Sequence, residues 1–226
     1  MLDRFQRFAV YYAPKADGAL AQAGARWLGW DPEAGEAVEH PDLGLDLAQL
    51  TQSPRRYGLH GTLTPPMRLG CGPATFFDAV DTLAQGLAPV DMGALCLRPV
   101  EGWLAIVPQT QTPDLTSCAA EIVEALDPFR APLSERDLAR RRAAGLSARQ
   151  EALLQQWGYP YVMEDFRFHI TLTNKLENVH MPDALRAAQA WFGPALEHDC
   201  RLDALCVFGE DEEGYFHLLT RFAMRG

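Results

Sequence analysis

This chain has few features that would connect it with a membrane, an oxidising compartment or a metal. Its five cysteines are odd in number and include no C-x-x-C pair, so we expect neither a disulfide framework nor a thiolate zinc site. No apolar run approaches the length of a membrane span, and the first residues lack the apolar core of a signal peptide. We therefore expect a cytoplasmic protein without a membrane partner.

Positive charge is also scarce, since 20 Lys and Arg are set against 30 Asp and Glu and the net charge is −10. Proteins that bind a long phosphate backbone draw most of their affinity from Lys and Arg. The composition therefore disfavours a nucleic-acid partner, but it is compatible with a small anion in a local basic pocket. The G-x-S-x-G, H-E-x-x-H and P-loop motifs are absent too, which disfavours serine-hydrolase, zinc-hydrolase and P-loop chemistry.

What the sequence does contain is one short motif in two copies, LHGTLT at 59–64 and FHITLT at 168–173. Side chains alternate between the faces of a strand, so a histidine and a threonine two residues later share a face. In the second copy this alternation predicts one polar and one apolar face. The polar face would carry Arg167, His169, Thr171, Thr173 and Lys175, and the apolar face Phe166, Phe168, Ile170 and Leu172. Such a strand would cover a core and present imidazole, hydroxyls and positive charge to a cleft.

The two copies lie in matching surroundings. Each predicted motif strand, at 55–64 before Pro65-Pro66 and at 165–175, is followed by a helix and then by two strands that can pair as a hairpin. This shared order indicates a duplication within a single two-lobed domain, with one motif in each of the approximate halves 1–110 and 111–226. The other predicted elements are helices at 73–87 and 182–192, strand pairs at 92–100 with 102–108 and at 202–209 with 215–224, a first strand at 8–13, and helices at 18–30, within 43–50, at 114–126 and at 134–157 with a break near Gly145.

Two histidines on opposite sides of a cleft can act as general base and general acid, because an imidazole with a pKa of about 6.5 can gain or lose a proton near neutral pH. The hydroxyls of Thr62 and Thr171 can hold the oxygens of a phosphate between the rings, while Arg167 and Lys175 can add charge. This set suits in-line opening of a phosphodiester and requires no metal or other cofactor. Which histidine is the acid depends on how the substrate is oriented.

Several other residues have two interpretations. Tyr11 would either face the cleft between two alanines or pack at a sheet edge, and Arg56, in phase with His60, would lie at the rim within or beyond reach of the substrate. Tyr57 is out of phase with His60, so we expect it in the core. The basic run 140–142 is predicted to be a solvated helical face, the alternative being a flap that receives a second phosphate of the substrate. The remaining histidines lack the motif and are expected to be ordinary residues: His40, His180, His198 and His217.

The two His-x-Thr segments resemble the signature of the 2H phosphoesterase superfamily, and the stretches 56–66, 146–162 and 166–173 are similar to its DUF1045 branch. This resemblance spans essentially the whole chain. It implies an α+β fold of two lobes, with two antiparallel sheets facing a central cleft and helices outside. It also implies a role in phosphonate metabolism, with which the branch is associated.

The same resemblance implies roles for four residues. His60 and His169 would be the catalytic pair, and Thr62 and Thr171 would hold the phosphate. The chain departs from the pattern at Thr64, where the branch commonly has lysine, and at Gly61, where it commonly has alanine.

We therefore predict a metal-independent phosphodiesterase for a small cyclic or linear phosphodiester. The alternatives are an enzyme that processes RNA ends with a 2',3'-cyclic phosphate, and a non-catalytic nucleotide-binding regulatory module. The expected partner is a small phosphorylated substrate, and the expected state is a monomer.

Overall fold

The computed structural model of the chain describes residues 2–143, 145–197 and 200–226, so His198 lies outside the described residues. Within these ranges, no helix is both long enough and apolar enough to cross a bilayer. The α-helices are α1 (Ala19–Leu28), α2 (Leu47–Leu50), α3 (Pro73–Gly86), α4 (Pro113–Leu126), α5 (Glu135–Arg142), α6 (Ala148–Trp157) and α7 (Met181–Phe192).

The strands begin near the N-terminus and continue to the end of the chain. They are β1 (Arg7–Tyr12), β2 (Trp30–Asp31), β3 (Glu36–Ala37), β4 (Gly61–Met67), β5 (Val90–Gly93), β6 (Leu95–Val100), β7 (Trp103–Pro108), β8 (Ile170–Thr171), β9 (Cys200–Leu202), β10 (Ala204–Glu210) and β11 (Phe216–Ala223). The predicted hairpins are confirmed as β6 with β7 and β10 with β11, both antiparallel.

Two antiparallel sheets form the frame of this α+β fold, one in the order β11-β10-β1-β4 and the other in the order β6-β7-β8. Each sheet has one motif strand at its edge, β4 or β8. The sheets do not coincide with the sequence halves 1–110 and 111–226, because β4 joins the sheet of the second hairpin and β8 pairs with the first hairpin. The two halves therefore exchange hairpins, and each sheet carries one copy of the motif.

One apolar cluster runs through both sheets and through α1, α3, α4 and α7. Trp27 on α1 and Phe192 on α7 are completely buried within it, and their rings lie 5.4 Å apart. The indole N–H of Trp27 also donates to the carbonyl oxygen of Leu172 at 2.9 Å. The core thus holds the second motif from behind, on the side opposite its polar residues.

The first motif strand begins later and ends later than the prediction for 55–64. Its predicted start is a 3₁₀ turn, Pro54–Tyr57, followed by Gly58 with a φ of 68°, a left-handed conformation that interrupts a strand. The pair Pro65-Pro66 does not stop β4, which continues to Met67. Because β4 is an edge strand, the missing N–H groups of proline are tolerated there.

The second motif strand is much shorter than the predicted 165–175. It contains only Ile170 and Thr171, and a 3₁₀ turn at Met163–Asp165 precedes it. In both copies the histidine therefore lies one residue before a strand, while the threonine lies in the strand. The predicted apolar face is nevertheless confirmed, because all four of its residues are buried: Phe166, Phe168, Ile170 and Leu172.

The predicted helix 134–157 is divided into α5 and α6, and the break near Gly145 is confirmed. Gly145 has a φ of 76° between the two helices. The hydroxyl of Ser134 accepts the N–H of Asp137 at the start of α5. Ser147 and Gln150 form a reciprocal capping box at the start of α6. These caps fix the direction in which α5 leaves the body of the protein.

Candidate active site

A cavity of about 800 Å³ lies between the two motif-bearing strands. Thr62 on β4 and Thr171 on β8 both line it, so both copies of the motif reach the same space. Its volume is within the range of roughly 300–1,000 Å³ that is typical of small-molecule sites. We call this cavity the cleft.

The cleft is positively charged although the protein as a whole is acidic. Among the described residues, no Asp or Glu lines it. Its cationic lining residues are Arg7, Arg56, Arg140, Arg141 and Lys175. A concave wall with charges of one sign concentrates a ligand of the opposite sign, so the cleft is suited to an anion.

The two motif histidines make the same local hydrogen bond. Nδ1 of His60 lies 3.0 Å from the carbonyl oxygen of Gly58, and Nδ1 of His169 lies 2.8 Å from the carbonyl oxygen of Arg167. A carbonyl oxygen can only accept, so each Nδ1 carries a hydrogen, and Nε2 of the neutral ring keeps its lone pair. The backbone thus prepares both imidazoles to exchange a proton through Nε2.

His60 is enclosed by aromatic rings. The Tyr11 ring lies 4.1 Å from it and the Tyr57 ring 5.4 Å from it, both between centroids. Burial is the main reason why the pKa of His60 is lowered to about 4; the bond to Gly58 opposes this shift, and the charge of His169 adds to it. His60 is therefore neutral at pH 7 and can accept a proton.

His169 has a different environment. It is exposed and is not among the residues that line the cleft, although Thr171, two residues further on, does line it. The positive charge of His169 nevertheless adds to the lowering of the pKa of His60. A ring in contact with water can be reprotonated after each reaction, which suits a proton donor.

The predicted cationic residues are placed differently from one another. Lys175 lines the cleft with its ammonium 5.4 Å from the centre of the Trp103 ring, and Arg56 lines it from the 3₁₀ turn before the motif. Arg167 is not brought to the cleft. Its guanidinium turns back and donates to the carbonyl oxygens of Glu164 and Phe166, each at 2.7 Å. The alternation that predicted Arg167 does not apply, because this part of the second copy is not a strand.

Among the aromatic residues that line the cleft are two with sequence-based predictions, Tyr11 and Tyr57. Tyr11 does so, as one of its two interpretations predicted, and it is completely buried. Tyr57 lines it as well, while its ring also stacks on that of buried Phe216 with the centroids 4.7 Å apart, so the predicted core position applies to one side of the ring. The 3₁₀ turn and the positive φ of Gly58 change the phase that a continuous strand would have given Tyr57. The dipeptide Tyr57-Gly58 was the available signal for this turn.

The basic run 140–142 is not a uniform solvated face. Arg140 and Arg141 line the cleft, so α5 supplies part of its wall, which agrees with the flap alternative. Arg142 turns away and pairs with Glu151 at 2.6 Å. Arg140 is also paired, with Asp137 at 3.1 Å.

A family model, described as DUF1045, a protein of unknown function, matches residues 62–217 of this chain. This match covers well over half of the sequence. The chain belongs to the DUF1045 family. The membership predicted from its motifs is thus confirmed.

Two curated relatives are 36% identical to this DUF1045 protein. Both are named ribose 1,5-bisphosphate phosphokinase PhnN, one from Janthinobacterium sp. (strain Marseille) and one from Laribacter hongkongensis (strain HLHK9). The matches cover 92% and 95% of this chain but only 48% and 51% of the relatives. The chain spans about half the length of the curated relatives it matches, so their name describes a longer protein.

Solved structures similar to this DUF1045 protein include LigT of E. coli complexed with 3'-AMP, with a TM-score of 0.49 and 14% identity. That alignment covers 98% of this chain and 99% of LigT. A second structure, described as a phosphoesterase, has a TM-score of 0.44 and 13% identity, with the same coverage of 98% and 99%.

The last threonine of each motif copy in this DUF1045 protein has a structural role. Oγ1 of Thr64 accepts the N–H of Val10, and Oγ1 of Thr173 accepts the N–H of Leu104, each at 3.0 Å. Both threonines are buried. Each hydroxyl therefore ties a motif segment to the neighbouring strand, β1 or β7, at a point where the backbone ladder is incomplete. Thr64, where the branch commonly has lysine, belongs to this pair.

We expect Thr64→Val and Thr173→Val each to lower the free energy of unfolding by about 1–3 kcal/mol, because each leaves a buried N–H without its acceptor. The matched variants Thr64→Ser and Thr173→Ser keep the hydroxyl and should lose less. Denaturant unfolding of the four variants measures the difference. If the valine and serine variants unfold alike, these hydroxyls do not stabilise the two strands.

Gly61 brings the two motif copies of this DUF1045 protein into direct contact. A Cβ atom at this position would lie 2.5 Å from the ring of Phe168, which is much closer than real contacts allow. Phe168 is itself buried and directly precedes His169. The departure from alanine at position 61 therefore leaves room for an aromatic ring of the second copy.

Proposed function

We propose that this DUF1045 protein is a phosphodiesterase that hydrolyses a small cyclic or linear phosphodiester by acid–base catalysis with two histidines, without a metal. The observation that carries the proposal is the matched state of His60 and His169. Each holds its Nδ1 hydrogen on the carbonyl two residues before it, and each precedes a threonine on the cleft wall. The same two features thus occur in two separate sheets of the protein.

In the proposed reaction His60 is the general base, because burial keeps it neutral at pH 7. Its Nε2 takes a proton from water, and the water oxygen forms a bond to phosphorus. The opposite P–O bond breaks, and the leaving oxygen takes a proton from Nε2 of His169. The product is a phosphate monoester and an alcohol, and the net proton balance is zero once solvent resets both rings.

The threonine hydroxyls and the cations supply the remaining functions. Thr62 and Thr171 both line the cleft, where their hydroxyls can donate to the non-bridging oxygens of a phosphate. Lys175 and Arg56 add positive charge where the transition state concentrates negative charge. Holding the diester between the two rings accounts for the rest of the expected acceleration.

The proposed substrate class is a cyclic phosphate of ribose or of a related sugar, in phosphonate metabolism. The name of the curated relatives identifies ribose 1,5-bisphosphate as their substrate, and this supports a phosphorylated pentose here. Opening a 1,2-cyclic phosphate of ribose at O2 would leave a phosphate monoester on O1. The kinase activity in that name belongs to proteins about twice as long, and we do not extend it to this chain.

The test is a panel of cyclic phosphates that includes ribose 1,2-cyclic phosphate and several nucleoside 2',3'-cyclic phosphates, assayed in excess chelator. We expect hydrolysis to persist and its pH profile to be bell-shaped, since one imidazole must be neutral and the other protonated. Turnover that disappears in chelator and returns with a metal would contradict the proposal. Inhibition by folded RNA with steep salt dependence would favour RNA ends instead. Tight nucleotide binding without any turnover would favour the regulatory module.

A further inference from the structure

Two buried polar atoms in the wall of the cleft lack a hydrogen-bond partner. Within the described residues, they are the hydroxyl of Tyr11 and Nε of Arg141. Tyr11 is completely buried, and its ring lies against that of His60. Arg141 comes from α5, on the other side of the same cleft. The two atoms reach this space from elements far apart in the sequence.

Such atoms are unusual, because a buried donor without a partner costs free energy that a folded protein normally avoids. Neither atom has an evident structural reason to be there. Phenylalanine at position 11 would keep the packing of Tyr11, and a methionine at 141 would keep most of the stem of Arg141. Both atoms are hydrogen-bond donors on side chains that line the cleft, so a small movement of either side chain would present its donor to an acceptor bound there.

The surroundings indicate that this acceptor is an anion. The Arg141 guanidinium lies 5.0 Å from the centre of the Tyr159 ring and makes no ion pair with any described residue. Burial lowers the pKa of Arg141, because the protein around the guanidinium solvates its charge less well than water does. Burial also raises the pKa of Tyr11 well above its usual value, so its hydroxyl stays protonated and can donate.

Two other cations of the cleft wall, Arg7 and Arg140, already have acidic partners. The guanidinium of Arg7 holds the carboxylate of Glu210 through two hydrogen bonds, and Arg140 pairs with Asp137. Arg56, Lys175 and Arg141 make no ion pair with a described residue, and of these three Arg141 is the one whose Nε is buried without a hydrogen-bond partner. The cleft volume of about 800 Å³ leaves room for more than a single phosphodiester.

We infer that Arg141 and Tyr11 form a second anion site, beside the site of the scissile diester, and that it binds a phosphate monoester on the same substrate. This inference rests on the proposed function. It narrows the substrate class to a sugar that carries both a cyclic phosphodiester and a phosphate monoester. The reaction that supplies such a substrate must leave a monoester on one carbon of the sugar and close a cyclic diester on two others.

The test compares ribose 1,2-cyclic phosphate with and without a phosphate on O5. For the parent protein we expect kcat/KM to be about 10- to 100-fold higher with the second phosphate, as for a charged hydrogen-bonded contact. In Arg141→Met this ratio should fall to about threefold or less, mainly because kcat/KM falls for the compound that carries the phosphate on O5. The matched control is Arg136→Met, on the same helix but outside the cleft, which should keep the parent ratio.

Tyr11→Phe supplies a second readout. It should lower the same ratio several-fold, while the unfolding temperature of the ligand-free protein stays equal or rises, because the lost hydroxyl had no partner. A hydroxyl with only a structural role would instead lower the unfolding temperature and leave the ratio alone. Circular dichroism confirms that each variant is folded.

The outcomes separate this inference from the proposed function. Hydrolysis of both compounds with the same efficiency, or an equal loss on both in Arg141→Met, would overturn the second site while the phosphodiesterase stands. If neither compound is hydrolysed, the proposed function fails, and the site is decided by calorimetric binding of ribose 1,5-bisphosphate. Binding at least tenfold weaker in Arg141→Met than in Arg136→Met would then support the site, and equal binding would overturn it.

Discussion

His60→Ala and His169→Ala are each expected to lower kcat/KM for the best cyclic phosphate by about 100- to 10,000-fold, the usual contribution of a positioned proton carrier. The reason is that each imidazole has its Nδ1 hydrogen occupied by a backbone carbonyl and only Nε2 left for the substrate. No other described histidine has this arrangement next to the cleft. His180→Ala is the matched control, because His180 is exposed at the start of α7 and should leave the rate unchanged.

The same pair of variants can assign the two roles. A diester with a p-nitrophenyl leaving group hardly needs a proton donor, because p-nitrophenolate is already a stable anion. With that substrate we expect His169→Ala to recover most of its lost activity and His60→Ala to remain impaired. Recovery in His60→Ala instead would reverse the assignment of base and acid, and parent-like rates in both variants would refute the two-histidine mechanism.

A second large effect is expected on acidification. Burial lowers the pKa of His60 from 6.5 in the unfolded chain to about 4 in the folded protein. Between these values the unfolded state binds more protons than the folded state, so stability falls as the pH falls. The loss from this one group should reach about 3 kcal/mol below pH 4.

Denaturant unfolding at several pH values between 7 and 4 measures this loss in the parent and in His60→Gln. The variant has no group that titrates at position 60, so the slope of its stability against pH should be shallower in this window. Activity should also depend on the protonation of His60. On the acidic side of the pH profile, kcat/KM should therefore fall with a midpoint closer to pH 4 than to pH 6.5. Parallel slopes in the two proteins would show that His60 is not held neutral by burial.

The sequence could predict that both copies of the motif contribute to one cleft, but it could not predict the outline of that cleft. Thr62 and Thr171 lie in their short strands, one residue inside the start of β4 and at the end of β8, and both line the same cleft. The predicted burial of the apolar residues at 166–172 is also confirmed. Their burial depends on the apolar side chains and does not require that the backbone pair with a neighbouring strand. Local patterns of this kind are reliable wherever the residues concerned lie within one short segment.

Predictions failed where the alternation of side chains in a strand was assumed for residues that lie outside the observed strand. Arg167 was placed on the polar face, but the segment before β8 is irregular and its guanidinium returns to its own backbone. Tyr57 has the predicted contact with the core on one side, through Phe216, but the turn at Gly58 also brings its ring to His60 and to the cleft. Arg141 required the tertiary structure, because only the packing of α5 over the cleft distinguishes it from Arg140 and Arg142.

The contact between Gly61 and Phe168 has a consequence for how the two motif copies can change over time. A residue that gains a side chain at position 61 needs a smaller or displaced group at 168, since the Cβ atom and the ring cannot share the space. Position 168 directly precedes His169, so a substitution in the first copy reaches the histidine of the second. Covariation between positions 61 and 168 is therefore expected among relatives.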